Sequence, residues 1–157
     1  MAETDPLELE GEVAADFLEE FLDVADLDGD LDIELSGGRV YISVNSEGEN
    51  NLTSVSDPDV VAALQEIVRL AVQNKTGENS RLILDIGGSR EARANQLREI
   101  AKRAMDKAAE SGAPQHLKPM SSYERKLVHD YVAESGFHSE SEGEGRTRHI
   151  VVSQVAE

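Results

Sequence analysis

Leu31-Asp32-Ile33-Glu34-Leu35-Ser36-Gly37-Gly38-Arg39-Val40-Tyr41-Ile42-Ser43-Val44 decides the architecture. Apolar residues fall at every second position on both sides of a Gly-Gly pair, the pattern of two half-buried strands joined by a tight reversal. Upstream of this hairpin, Val13, Phe17 and Phe21 recur at i+4, with Leu18, Leu22 and Ala25 in the neighbouring row. That spacing predicts an amphipathic helix from Glu12 to the Asp28-Gly29-Asp30 turn. Met1–Gly11 is acidic, has no apolar period and is expected to be a disordered tail. Downstream, Ser46–Ser56 reads as a polar loop. Asp57-Pro58 then caps a helix whose stripe is Val60, Val61, Leu64, Ile67, Val68, Ala71 and Val72, running to about Lys75 before Gly77. Arg81–Ile86 is a strand closed by Gly87-Gly88. The order of this first unit is helix–strand–strand–helix–strand.

A second unit follows. Arg90–Ser111 is a long helix with Ala94, Leu97, Ala101, Ala104 and Ala108 along its inward row, flanked by Ile100 and Met105, and ended by Gly112 and Pro114. Gln115–Lys118 reads as a short strand. Ser121 or Ser122 caps another helix with Leu127, Val128, Tyr131 and Val132 as its apolar positions. Gly136–Ser141 and Thr147–Val152 are two strands around a Gly143/Gly145 turn. This order is helix–strand–helix–strand–strand, and the fold class is α+β in two small domains.

Charge divides the chain at the same place. The net charge is −17, yet residues 1–80 hold 20 Asp/Glu against Arg39, Arg69 and Lys75, whereas residues 81–157 hold 12 acidic and 12 basic residues. Such asymmetry points to two units with different partners. The sequence has no cysteine, so it has neither disulfides nor thiolate metal sites, as suits a reducing cytosol. No secretory signal or membrane span is legible, and the expected location is the cytoplasm.

Few motifs point to chemistry. The run Asp26-Leu27-Asp28-Gly29-Asp30-Leu31-Asp32 invites a calcium reading, but an EF-hand needs glycine at loop position six and glutamate at twelve. Starting at Asp26, those places hold Leu31 and Gly37; starting at Asp28, they hold Ile33 and Arg39. An acidic helix-to-strand turn is the better reading. Gly87-Gly88-Ser89 precedes a helix but lacks the lysine and spacing of a phosphate loop and the third glycine of a dinucleotide fingerprint, so it reads as a connector. His116, His129, His138 and His149 show no metal spacing, and no nucleophile–base pair stands out. The expectation is a protein that is not an enzyme and has no metal or cofactor.

The informative stretch is Pro119-Met120-Ser121-Ser122-Tyr123-Glu124-Arg125-Lys126-Leu127-Val128-His129. A helix stacks Arg125 and His129 on one face, one turn apart. Lys126 sits beside them, Lys118 precedes the helix, and Arg146 and Arg148 enter the final hairpin. Cations beside Tyr123 and His129 suit phosphates and stacked bases of a single strand. By itself an Arg-x-x-x-His pair is common on solvated helix faces.

Tyr123–His129, followed by Ser141-Glu142-Gly143-Glu144-Gly145 and a basic residue before Ile150-Val151-Val152, resembles the R(3)H domain, which binds single-stranded nucleic acid. Residues 12–153 resemble the bacterial Jag (KhpB, SpoIIIJ-associated) family, in which a type II KH-like domain precedes R(3)H. Leu84-Asp85-Ile86-Gly87-Gly88-Ser89-Arg90-Glu91 resembles the family's junction. The resemblance implies a KH-like domain at 12–88 and an R(3)H-like domain at 89–153. It also implies RNA binding by Arg125 and His129 amid Lys126, Lys118, Arg146 and Arg148, with Tyr123 stacking or packing. The implied role is post-transcriptional control of bacterial growth, envelope or division processes, with a small KH protein as partner. One departure is specific. KH domains clamp nucleotide backbone with a GxxG loop, and Val55-Ser56-Asp57-Pro58 stands at that position with neither glycine nor a basic centre. The first unit is therefore expected to be a degenerate KH scaffold or protein interface. The family's separate N-terminal Jag domain is not expected here. The alternatives are single-stranded DNA as ligand and an acidic protein-interaction module without nucleic-acid contact.

Overall fold

A computed structural model describes residues 3–46 and 52–156. It resolves into two compact units, Met1–Ala92 and Arg93–Glu157, each with its own apolar core. The α+β class expected from the sequence holds. The boundary falls inside the first turn of a helix rather than at residue 88.

In the first unit, α1 (Pro6–Val24) is followed by β1 (Asp30–Ser36), β2 (Arg39–Asn45), a 3-10 turn at Leu52–Ser54, α2 (Pro58–Thr76) and β3 (Ile83–Ile86). The tail expected over residues 1–11 is corrected: α1 begins at Pro6, six residues before Glu12. The cause is a cap. Asp5 accepts a hydrogen bond from Leu7 N at 2.9 Å and proline occupies the first turn, the same device that Asp57-Pro58 builds for α2. The expected loop Ser46–Ser56 lies partly outside the described residues, and Leu52 within it is buried.

The sheet order is β1-β2-β3, with β1 antiparallel and β3 parallel to β2. Gly37 and Gly38 both take positive φ, 58° and 74°, as a two-residue reversal requires. Central β2 buries Val40, Ile42 and Val44 completely, or nearly so. The alternation of β1 is real, yet Ile33 and Leu35 remain 42 % exposed because β1 is an edge strand. Gly29 has a packing role rather than a calcium role: a Cβ there would lie 2.6 Å from Val44 Cγ1.

The second unit contains the body of α3 (Ser89–Ser111), then β4 (Gln115–His116), α4 (Ser122–Glu134), β5 (His138–Glu142), a 3-10 turn at Gly145–Thr147 and β6 (His149–Ser153). Its sheet is antiparallel in the order β4-β6-β5. The small-residue row of α3 lets Leu97, Ala101, Ala104 and Ala108 close against other elements, while Val128, Val132, Ile150 and Val152 are wholly buried. Full burial of side chains this size contributes about 1.5–3 kcal/mol each for the larger ones. Two ion contacts fix the helices. Arg93 grips Glu124 with Nε at 2.6 Å and Nη2 at 3.1 Å, and the Arg98 guanidinium sits 4.7 Å over the Tyr131 ring.

Candidate nucleic-acid interface

Helix α4 starts where Ser121 Oγ accepts the Glu124 amide. Val128 and Val132 turn inward, which leaves Arg125 and His129 on a flank of the helix that meets β5. Strand β5 alternates, and its serines point to α4. Arg125 Nη1 donates to Ser141 Oγ at 3.2 Å, and Arg125 Nε donates to the Met120 carbonyl at 3.2 Å. His129 Nε2 lies 3.0 Å from the same Ser141 hydroxyl, and Nδ1 lies 2.6 Å from Ser139 Oγ. Burial, then the charge of Arg125, lowers the His129 pKa below the ordinary histidine value. The ring is therefore neutral at neutral pH. Two tautomers satisfy every contact with Ser141 accepting from Arg125: either the Ser141 hydroxyl donates to His129 Nε2 and Nδ1–H donates to Ser139, or Nε2–H donates to Ser141 and the Ser139 hydroxyl donates to Nδ1.

Both side chains are half-buried, and among the described residues neither is held by a carboxylate contact. Arg125 thus keeps its charge while its position is fixed, leaving donor capacity on a five-donor fork. The positive field around it comes from several segments. Lys126 and Arg148 both lower the His129 pKa through their charge. Met120 N donates to the Arg148 carbonyl at 3.4 Å and Leu117 N to the Ile150 carbonyl at 2.9 Å, so the Lys118 segment runs beside the start of β6. Arg148 is anchored on the Gly143 carbonyl at 2.8 Å. The turn fits because Gly143 has φ 86° and a Cβ there would meet Thr147 O at 3.0 Å. Lys118 and Arg146 are exposed.

Two expected residues fit less well. Lys126 is paired with Asp130 at 2.7 Å, although 74 % of its side chain is exposed. Tyr123 is half-buried and two residues from Arg125, about 200° around the helix. It does not share the Arg125–His129 face. Ser139 and Ser141 were not singled out from the sequence as site residues. Their trace was the period of two in Ser139-Glu140-Ser141-Glu142, with serine on the side that faces the helix. Histidine spacing also missed a cluster: β4 and β6 bring His116 Nδ1 and His149 Nε2 to 3.0 Å.

At residues 55–58, where the resemblance would place a clamp loop, the described residues of the first unit offer no comparable face. Asp57 caps α2 where a basic centre was sought. Arg69 is turned inward onto the Leu82 carbonyl at 2.8 and 3.0 Å and onto Glu66, its pKa lowered by burial. At the Gly87-Gly88 connector, Asp85 Oδ1 accepts from Arg90 N at 3.0 Å and Ser89 Oγ at 3.1 Å. The start of α3 thus carries its own anion.

Comparison with known sequences agrees with this division. The R(3)H domain family model matches residues 95–154. The RNA-binding protein KhpB of Clostridium symbiosum is 27 % identical over 142 residues, covering 89 % of this chain and 64 % of that protein. The RNA-binding protein KhpB of Bacillus subtilis (strain 168) is 31 % identical over 94 residues, 58 % of this chain and 45 % of that protein. The chain thus spans between 40 % and 64 % of the length of the curated relatives it matches. The R(3)H match falls within the second unit, and the chain is similar to RNA-binding proteins KhpB.

Proposed function

We propose that this protein binds single-stranded RNA through the second unit and acts as a post-transcriptional regulator, not as an enzyme. The observation that carries the reading is the Arg125–Ser141–His129–Ser139 network, which holds a charged guanidinium in place on a half-exposed face with no carboxylate contact among the described residues. Arg125 contacts phosphate or a base edge, and Lys118, Arg146 and Arg148 supply the surrounding field. His129 acts as a neutral hydrogen-bonding group rather than a cation. Three or four phosphate contacts give a salt slope of roughly −2 to −3. The relatives carry the name RNA-binding protein, which favours RNA over single-stranded DNA. The first unit, KH-like in its order of elements, serves as an acidic scaffold or docking surface, a small KH protein being one partner of the right kind.

Ultraviolet crosslinking of the full chain to a short single-stranded RNA, with mass spectrometry of the attached peptide, tests this reading. Crosslinks within residues 117–153 are expected. Crosslinks confined to residues 12–88 overturn the assigned face, and their absence at low salt favours a protein-interaction module.

A further inference from the structure

We propose that His116, Glu142 and His149 form a binding site for a zinc-type divalent transition-metal cation. The topology creates it. Each strand of the second sheet contributes one residue: His149 on central β6 lies directly opposite Glu142 on β5, and His116 on β4 lies opposite Val151, two residues further along β6. Strand alternation puts these side chains on the face opposite to Ser139 and Ser141, so the site is separate from the Arg125–His129 network.

The geometry suits a small cation. One ligand atom from each residue lies within 4.8 Å of the other two. The rings stand 5.2 Å apart at 37°, with His116 Nδ1 3.0 Å from His149 Nε2. Two imidazole nitrogens on one tetrahedral zinc ion are separated by about 3.3 Å. The two rings therefore need to part by only roughly 0.3 Å to admit the ion at ordinary bond lengths.

An outer contact already orients one ligand. His149 Nδ1 lies 3.0 Å from the Thr147 carbonyl, which can only accept, so Nδ1 bears the proton and Nε2 presents its lone pair to the site. Without metal, His116 Nδ1–H donates to that lone pair. On binding, this proton moves to Nε2 of the same ring and both facing nitrogens become ligands. Two imidazoles and a carboxylate form a zinc-type donor set, unlike the oxygen cages of calcium or magnesium. His116 and Glu142 are exposed, so the cation has an open path and keeps water in its remaining position. Glu142 and His149 also bracket the segment carrying Arg146 and Arg148, which the ion would brace.

The test is calorimetric titration of the full chain with zinc chloride at neutral pH. His116→Gln, His149→Gln and Glu142→Gln remove ligands. His138→Gln is the control, because that ring lies 3.1 Å from Glu140 and outside the cluster. One saturable site is expected. It should persist in His138→Gln and weaken by more than the about 100-fold upper end of outer-contact losses in either ligand-histidine variant. Absence of saturable binding, retention in His116→Gln, or equal loss in His138→Gln overturns the proposal. Ring-nitrogen NMR on the unaltered protein gives a readout independent of variant folding. Zinc should move His116 Nδ1 and His149 Nε2, and movement only at His129 or His138 refutes the site.

Discussion

Ser141→Ala isolates the feature that distinguishes this face from an ordinary charged helix. The hydroxyl accepts from Arg125 at 3.2 Å and meets His129 Nε2 at 3.0 Å. Its removal leaves Arg125 with the Met120 carbonyl and His129 with Ser139. Two hydrogen bonds disappear, one of them to a charged group, and such bonds contribute about 0.5–3 kcal/mol each. Both partners are only half-buried and water re-solvates them, so the stability loss should be about 1–2 kcal/mol in urea unfolding. Ordering a freed arginine on RNA costs about 0.5–1.5 kcal/mol, which weakens binding about 2- to 12-fold. The decisive version is a double-mutant cycle with Arg125→Ala. If Ser141 acts by positioning Arg125, Ser141→Ala should change RNA affinity in the Arg125→Ala background by no more than about 0.5 kcal/mol. An undiminished effect in that background, or none in the wild type, refutes the positioning argument.

Other consequences can be checked on the same protein. Gly29→Ala drives a Cβ to within 2.6 Å of Val44 Cγ1 and should destabilise the first unit by about 1–3 kcal/mol in thermal or urea unfolding; an unchanged midpoint contradicts the packing role. Asp5→Ala removes the α1 cap and should cost about 1 kcal/mol, with faster amide exchange over residues 6–11. His129 should make stability pH-dependent. Its folded pKa is lowered, so below the unfolded value of 6.5 the unfolded chain takes up a proton that the folded one refuses. The contribution is complete above that pH and is lost as pH falls through the folded pKa, and His129→Gln should reduce the slope there.

Much of the fold was legible because its signals are local. Gly37-Gly38 between alternating runs fixed the first hairpin, and the Ala-rich row of α3 announced close packing. The start of α1 was misplaced because the acidic residues of Met1–Gly11 drew more weight than Asp5-Pro6, although the same pair was recognised at Asp57-Pro58. Helical spacing put Arg125 and His129 on one face, and the resemblance to the R(3)H domain singled them out. Ser139 and Ser141 were not, because their contact with α4 is a tertiary event 10 to 16 residues along the chain. His116 and His149 are 33 residues apart, and only strand pairing brings them together. Edge exposure of Ile33 and Leu35 is likewise a property of the sheet order, not of the strand's own sequence.

Fluorescence anisotropy of the full chain with a labelled short single-stranded RNA at low salt, comparing wild type with Arg125→Ala, tests the central claim most directly. Saturable binding should weaken by about 1–3 kcal/mol, or about 5- to 150-fold. Equal affinity for the two proteins would place the RNA elsewhere and contradict the account.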